Sequence, residues 1–276
     1  MPSKYGCRKS PTDVRDLKIV ALRAVRAPPP KLPSKVDYTD QMTGVKNQLN
    51  EGICVGFAST AMKEYQEKLE QKSEYDFSKR FVYEHARQID RLPDNDEGTT
   101  IRAAMEVLYE QGVCEESCWP YIPHIRGSPC KTVTEDALPF RIKSYIGLDT
   151  VSDMKEGLLS NGPFVLGIVV YESFEKDDHG VIPMPKADEE ILGGHAICIV
   201  GYDDAKRQFK FKNSWGMLWG SGGYGWLSYD YIEPFAFDGW TAADLTAPGP
   251  KPRPWWVRLW DWLMRLFKIS GTAGAA

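Results

Sequence analysis

The sequence predicts an α+β fold built as two lobes, helical first and antiparallel β second, with a cleft between them. Three observations predict it. Between Cys54 and Gly112, apolar residues recur at the spacing of a helical face in three successive runs. From Phe140 to Tyr229 the pattern changes to short alternating or continuous β-type runs separated by Gly, Pro, Asn and Asp turns. The chain has 276 residues, 42% hydrophobic and 26% charged, which suffices for a sizeable core.

Residues 1–31 are basic and end in a proline run, Pro28-Pro29-Pro30. Such a run favours extended backbone, so this stretch reads as an arm or short leader lying on the surface. The main domain is expected over 32–245, and residues 36–53 form its loop-rich lead-in. The first helix then runs from Cys54 to about Lys72, with Phe57, Ala58, Ala61, Met62, Tyr65 and Leu69 on one face. A second helical pattern spans Phe77 to Arg91, with Ser78 as its cap and Phe81, Val82, His85 and Ile89 as its stripe. Thr99 or Thr100 caps a third, which carries Ile101, Ala104, Met105 and Leu108 and stops at Gly112.

The second half begins with a strand from Phe140 to Ile146. A short helix, Val151–Ser160, is stopped by Asn161-Gly162-Pro163. Strands follow at Phe164–Tyr171, Ala196–Tyr202, Gln208–Lys212 and Gly222–Tyr229. A Pro/Gly linker is expected at 246–254. Beyond it, Trp255–Ile269 reads as an amphipathic, Trp-rich helix with Arg258, Asp261, Arg265 and Lys268 on its polar stripe, and 270–276 reads as a disordered tail. A Trp-rich apolar face beside a basic stripe suits a membrane surface or a protein partner; docking on the main domain is the alternative.

Four residues carry the candidate chemistry. Cys54 lies at a predicted helix N-terminus, where free N–H groups and the macrodipole favour a thiolate; a small buried core residue is the alternative. His195 follows 141 residues later, at the start of a predicted buried strand, and is the candidate base. Asn213 can hold one imidazole nitrogen and leave the other to the thiol, with Trp215 covering that hydrogen bond. Gln48, six residues before the thiol, can pair its amide with the Cys54 N–H to receive an oxyanion. Each has a plainer alternative: a structural histidine, a Gly/Asn turn, a surface glutamine.

The order Gln48, Cys54, His195, Asn213 resembles the papain-like cysteine peptidases, and more closely their compact bacterial branch. Val45-Lys46-Asn47-Gln48 with Gly52-Ile53-Cys54-Val55-Gly56-Phe57-Ala58 is similar to the family's Gln-to-Cys block. Gly193-Gly194-His195-Ala196 with Val200-Gly201-Tyr202 is similar to its His block, and Lys212-Asn213-Ser214-Trp215-Gly216 with Trp219-Gly220 to its Asn block. Phe77–Tyr83, Glu97–Arg102 and Trp119-Pro120-Tyr121 also match, and Leu32–Asp37 resembles the start of the mature domain, so the resemblance covers about 32–242. It implies a helical left lobe, an antiparallel β-barrel-like right lobe, and a cysteine endopeptidase working through a thioester. It also implies that Gly98 and Thr99 line the acyl side of the cleft and bind substrate backbone. Gly194, Ala196 and Trp215 are further substrate contacts, with Ala196 at the wall of the second subsite. A peptide ligase or transamidase, and a catalytically silent peptide-binding module, are the alternatives.

Two residues depart from the family pattern. Val55 replaces the common Trp after the nucleophile. Glu51 replaces a disulfide cysteine, which leaves the turn before Cys54 to be held by packing alone.

The remaining features bound the function. A formal net charge of −4 gives no nucleic-acid footprint. No metal or other cofactor is expected: Cys114, Cys118, His124 and Cys130 do not follow the common zinc spacings, and loop packing or one oxidised pair fits them better. Cys198 reads as a core strand residue. Residues 1–20 lack a signal-peptide pattern and no apolar run approaches membrane-spanning length. The default location is therefore cytoplasmic, with peripheral membrane association or non-classical export as alternatives. The expected partner is a protein or peptide substrate.

Overall fold

The computed structural model describes residues 4–19, 21, 32–93, 98–175 and 179–244. Glu97, the expected linker at 246–254, the amphipathic helix at 255–269 and the tail at 270–276 lie outside the described residues.

The helical lobe is built on α1 (Cys54–Gln71), α2 (Lys79–Ile89) and α3 (Ile101–Glu110). Their starts follow local chemistry. The Ser78 hydroxyl accepts the Phe81 N–H, and the Thr100 hydroxyl accepts the Ala103 N–H. Lys72 ends α1 in a left-handed conformation. A short α4 (Val133–Ala137) and then α5 (Val151–Asn161) lead into the second half, α5 with a complete Thr150/Asp153 capping box.

The β lobe is one antiparallel sheet of seven strands. These are β2 (Lys35–Asp37), β4 (Ile142–Gly147), β5 (Phe164–Tyr171), β6 (Ile191–Asp203), β7 (Gln208–Lys212), β8 (Tyr224–Ser228) and β9 (Ala236–Asp244). The order is β4-β9-β5-β6-β7-β8, and β2 pairs with β6. Among the described residues the path stays open, so the lobe is a sheet where the barrel-like shape expected from the resemblance would close. Short helices α6 (Glu172–Glu175) and α7 (Tyr229–Phe235) follow β5 and β8. The sheet has an apolar cluster on each face. Val165, Cys198, Val200 and Trp240 join the helical cluster with Met62, Phe77 and Met105, whereas Leu166, Ile197, Phe209 and Leu227 join the other. Burial on both faces explains why β5 reads as an unbroken apolar run.

Helix α1 is bound to the sheet by charge as well. Lys63, fully buried, donates to Glu67 and to both carboxylate oxygens of Asp244 on β9, at 2.6–2.7 Å. Such a charge is tolerated in the interior because it is fully paired.

Two expectations about the β lobe change. Strand β6 begins at Ile191, so His195 lies inside a 13-residue strand and not at its start; pairing with β5 carries the strand through both glycines. Strand β9 was not anticipated, although it sits between β4 and β5. Its Asp238, Gly239 and three alanines are weak strand formers, and its neighbours on both sides hold it extended.

Cys118 and Cys130 form a disulfide, whereas Cys7, Cys54, Cys114 and Cys198 are free and buried. Cys198 is fully buried on β6, as a core strand residue would be.

Candidate active site

The turn before α1 is held by groups far apart in sequence. The Gln48 N–H donates to the Ser214 carbonyl at 2.8 Å, and the Tyr121 hydroxyl donates to the Gln48 carbonyl at 2.6 Å. Glu51 meets the Arg80 guanidinium through both oxygens, at 2.6 and 2.9 Å, with both side chains buried. The His124 N–H, inside the Cys118–Cys130 loop, adds a third bond to Glu51 at 2.8 Å. Packing alone was expected to hold this turn; a bidentate buried ion pair holds it, where the family pattern has a disulfide.

Cys54 is the first residue of α1 and is fully buried. Its N-cap, Ile53, makes no side-chain capping bond, so N–H groups at the helix start remain available to the thiol. Burial pushes the thiol pKa up, while N–H groups of Ala196, Gly6 and Val55 and its own amide pull it down. Ala196 follows His195 directly, which sets the thiol against strand β6.

His195 is also fully buried. Its Nε2 lies 2.9 Å from Asn213 Oδ1, and its Nδ1 has no hydrogen-bond partner among the described residues. The Trp215 ring lies 4.9 Å away, tilted by 31°, and covers the imidazole. The Asn213 Oδ1 also accepts the Ser214 N–H at 2.8 Å, which fixes the amide. Desolvation, opposed by the Asn213 bond and reinforced by Lys4, lowers the His195 pKa to about 4. Burial thus disfavours the charged form of both groups in this state.

The Gln48 amide is oriented by Ser214, whose hydroxyl donates to Gln48 Oε1. Gln48 Nε2 donates at 2.9 Å to the Lys4 carbonyl and at 2.9 Å to the Glu51 carbonyl. The donor expected to receive an oxyanion thus already holds a carbonyl of the chain itself.

That carbonyl belongs to a segment running through the cleft. Within the arm expected on the surface, residues 4–8 instead thread between the lobes, while Val14 and Leu17 beyond them are exposed. Strand β1 (Cys7–Arg8) pairs parallel with β3 (Thr99–Thr100), and the Thr99 N–H donates to the Gly6 carbonyl at 2.9 Å. Asp90 fixes β3 by accepting the Thr99 hydroxyl and the Thr100 N–H. The Gly98 N–H donates to the Tyr83 hydroxyl at 2.9 Å. At Gly6 a Cβ would lie 1.8 Å from the Gly52 carbonyl oxygen, so only glycine passes this point. At Gly194 a Cβ would lie 2.1 Å from the Cys7 carbonyl oxygen, so this glycine gives the segment its room on the β lobe. Cys7 is buried, with its sulfur beside Gly167, where a Cβ would lie 3.1 Å from it. Further along, Ser10 bonds Asp238, and Arg102 on α3 pairs with Asp16 at 2.6 Å and Asp13 at 3.0 Å.

All nine residues expected from the sequence lie around this segment. Gln48, Cys54 and His195 are buried against Lys4, Gly6 and Tyr5, with Asn213 behind the imidazole and Ala196 against the thiol; Gly98 and Thr99 flank the segment on the helical lobe, and Gly194 and Trp215 on the β lobe. Sequence reasoning missed Arg80, Ser214, Lys4, Gly6 and Cys7. Only Ser214 carried a local signal, its position beside Asn213. Among the described residues, Cys118, Cys130 and Asp136 alone cluster like metal ligands, and both sulfurs are spent in the disulfide.

A buried thiol at a helix start, set against the strand that carries an imidazole held by an asparagine amide, is the set of groups that thiol-dependent acyl transfer uses. Residues 32–233 match the model of the papain family cysteine proteases, and the chain belongs to that family. It is 31% identical to xylellain, a cysteine protease of Xylella fastidiosa, with a TM-score of 0.78 over 88% of this chain and 97% of that one. It is 36% identical over 62% of its length to an uncharacterized peptidase C1-like protein of Acanthamoeba polyphaga mimivirus, covering 60% of that protein. Ananain of Ananas comosus is 29% identical over 75% of this chain and 59% of its own. The chain spans 44–60% of the length of the first curated relatives it matches.

Proposed function

We propose that the protein is a cysteine endopeptidase whose described state is latent, closed by its own residues 4–8. The observation that carries the reading is the buried Cys54 and His195 pair, with Asn213 on the imidazole and Gln48 oriented beside it. In the open enzyme, water re-enters, the imidazole regains basicity, and Cys54 and His195 form a thiolate–imidazolium pair. The thiolate attacks the scissile carbonyl, whose oxygen becomes an oxyanion bonded by Gln48 Nε2 and the Cys54 N–H. Collapse breaks the C–N bond, and the imidazolium protonates the departing amine. Water, deprotonated by His195, then hydrolyses the thioester and returns the thiol. The Thr99 N–H offers the acyl side of a substrate the bond that the Gly6 carbonyl now takes, and Gly98 leaves its backbone room to approach.

Closure follows from direction. The departing amine takes its proton from His195, so the departing chain lies on the His195–Trp215 side and the acyl part along β3. A substrate therefore enters β3 with its N-terminal part. Residues 4–8 run the other way, with Lys4 near Trp215 and Arg8 on β3. A reversed chain presents no carbonyl in line with the thiolate.

No described helix is long and apolar enough to cross a membrane. The Cys118–Cys130 disulfide supports an oxidising home, the export alternative, over the cytoplasmic default.

The test uses the full chain carrying Gly6→Ala, which cannot seat the closing segment. Cleavage of a peptide library and labelling of Cys54 by an epoxysuccinyl probe are expected, both abolished by Cys54→Ala. Products are hydrolysed acids; ligated products by mass would favour the transamidase alternative. An opened chain that neither labels at Cys54 nor cuts any peptide would sink the reading.

A further inference from the structure

The closing segment also shows what the departing side of the cleft binds. Lys4 places its ammonium 3.9 Å from the centre of the Trp215 ring and 3.0 Å from Glu175 Oε1. Its neighbour Tyr5 donates its hydroxyl to the same carboxylate and packs edge-on against Trp215, 6.1 Å between centroids. The platform beneath is fixed. Phe174, fully buried, meets Trp215 edge-on at 5.5 Å and stacks on Trp219 at 6.0 Å. Glu175 follows Phe174 directly, and its side chain is 44% exposed, so the carboxylate stands at the rim. An aromatic face beside a carboxylate attracts a cation and repels an acid. The same Lys4 bonds its carbonyl to Gln48 Nε2, so its side chain lies within a residue or two of the reacting centre.

From this juxtaposition we infer that the Trp215 face and the Glu175 carboxylate form a subsite for a lysine or arginine side chain just beyond the scissile bond, which Lys4 fills in the closed state. The inference rests on the peptidase reading and adds a substrate class to it. When residues 4–8 leave, Trp215 and Glu175 face the cleft without their cation. A substrate with a basic residue on its departing side restores both contacts. Because the closing segment runs in reverse, its register does not transfer, and either the first or the second residue after the cleaved bond can reach the site.

The experiment compares matched peptides in the full-length Gly6→Ala chain. Each carries lysine, norleucine or glutamate at the first or the second position after one fixed cleavage site. The quantity read is the ratio of kcat/KM values within one preparation, which cancels the fraction of open enzyme. Lysine is expected to exceed norleucine by about tenfold at one of the two positions, with glutamate below norleucine. Glu175→Gln should reduce the lysine preference to about twofold, and Glu175→Lys should invert the order of lysine and glutamate. High salt should shrink the native ratio. A lysine-to-norleucine ratio at or below one at both positions, or a ratio unchanged by Glu175→Gln, overturns the inference and leaves the peptidase reading intact. A chain that cuts no peptide and leaves Cys54 unlabelled overturns both.

Discussion

The Thr99 amide donates to the Gly6 carbonyl at 2.9 Å, and through this bond the chain fills its own cleft. Gly6 sits where a side chain would strike the Gly52 carbonyl oxygen at 1.8 Å. Gly6→Ala should therefore expel residues 4–8. Cys54 labelling by an epoxysuccinyl probe should accelerate at least tenfold, with some loss of thermal stability as the buried Cys7 leaves the core. An unchanged labelling rate would show that the segment does not limit access to the thiol.

Acid should open the cleft. In a Cys54→Ala chain, where no thiolate can pair with the imidazole, His195 in the closed state is held at about 4, mainly by burial, whereas an exposed histidine titrates near ~6.5. Between these values the closed state binds fewer protons than the open one. Closure is therefore fully favoured above about pH 6.5 and weakens as pH falls toward about 4, by on the order of 10²-fold. Hydrogen exchange at the Thr99 amide, corrected for its intrinsic rate, reads this directly. Protection that stays constant from pH 7.5 to 4.5 would contradict it.

The Glu51–Arg80 pair should be a principal clamp on the turn before Cys54. Glu51→Ala leaves Arg80 buried without its bidentate carboxylate, at an expected cost of about 3–5 kcal/mol. Glu51→Leu with Arg80→Met removes both charges and should cost much less. Urea midpoints of the two variants make the comparison, and equal losses would argue against a charge-pairing role.

Gln48→Ala in the opened chain should lower kcat by about 10²–10³-fold. Iodoacetamide should still label Cys54 within a few-fold of its former rate, because alkylation generates no oxyanion. Ser214→Ala frees the Gln48 amide to rotate and should cost about tenfold in kcat. A proportional loss in alkylation would instead assign Gln48 to thiol activation.

Local order was legible in the residues. The helical stripe behind Cys54, the caps at Ser78 and Thr100, and the Asn161-Gly162-Pro163 stop depend on neighbours within a few positions, and the elements follow them. The family could be recognised because its motifs are short and occur in order. Other features rest on partners distant in sequence. Glu51 finds Arg80 on another helix, and Lys63 finds Asp244 across the domain. Strand β9 is extended because β4 and β5 flank it, and His195 lies inside a strand because β5 pairs with the glycines before it.

The sequence by itself determined the two-lobed fold, the helix that carries the thiol, and the order of the four candidate site residues, since periodicity, caps and motif spacing act over short range. Only the tertiary structure decided that residues 4–8 occupy the cleft. Nothing local distinguishes a short extended segment that lies on a surface from one that pairs with β3. That choice is made by the Thr99 amide, the gap opposite Gly52, and the Trp215–Glu175 corner, which come together only after the lobes have formed.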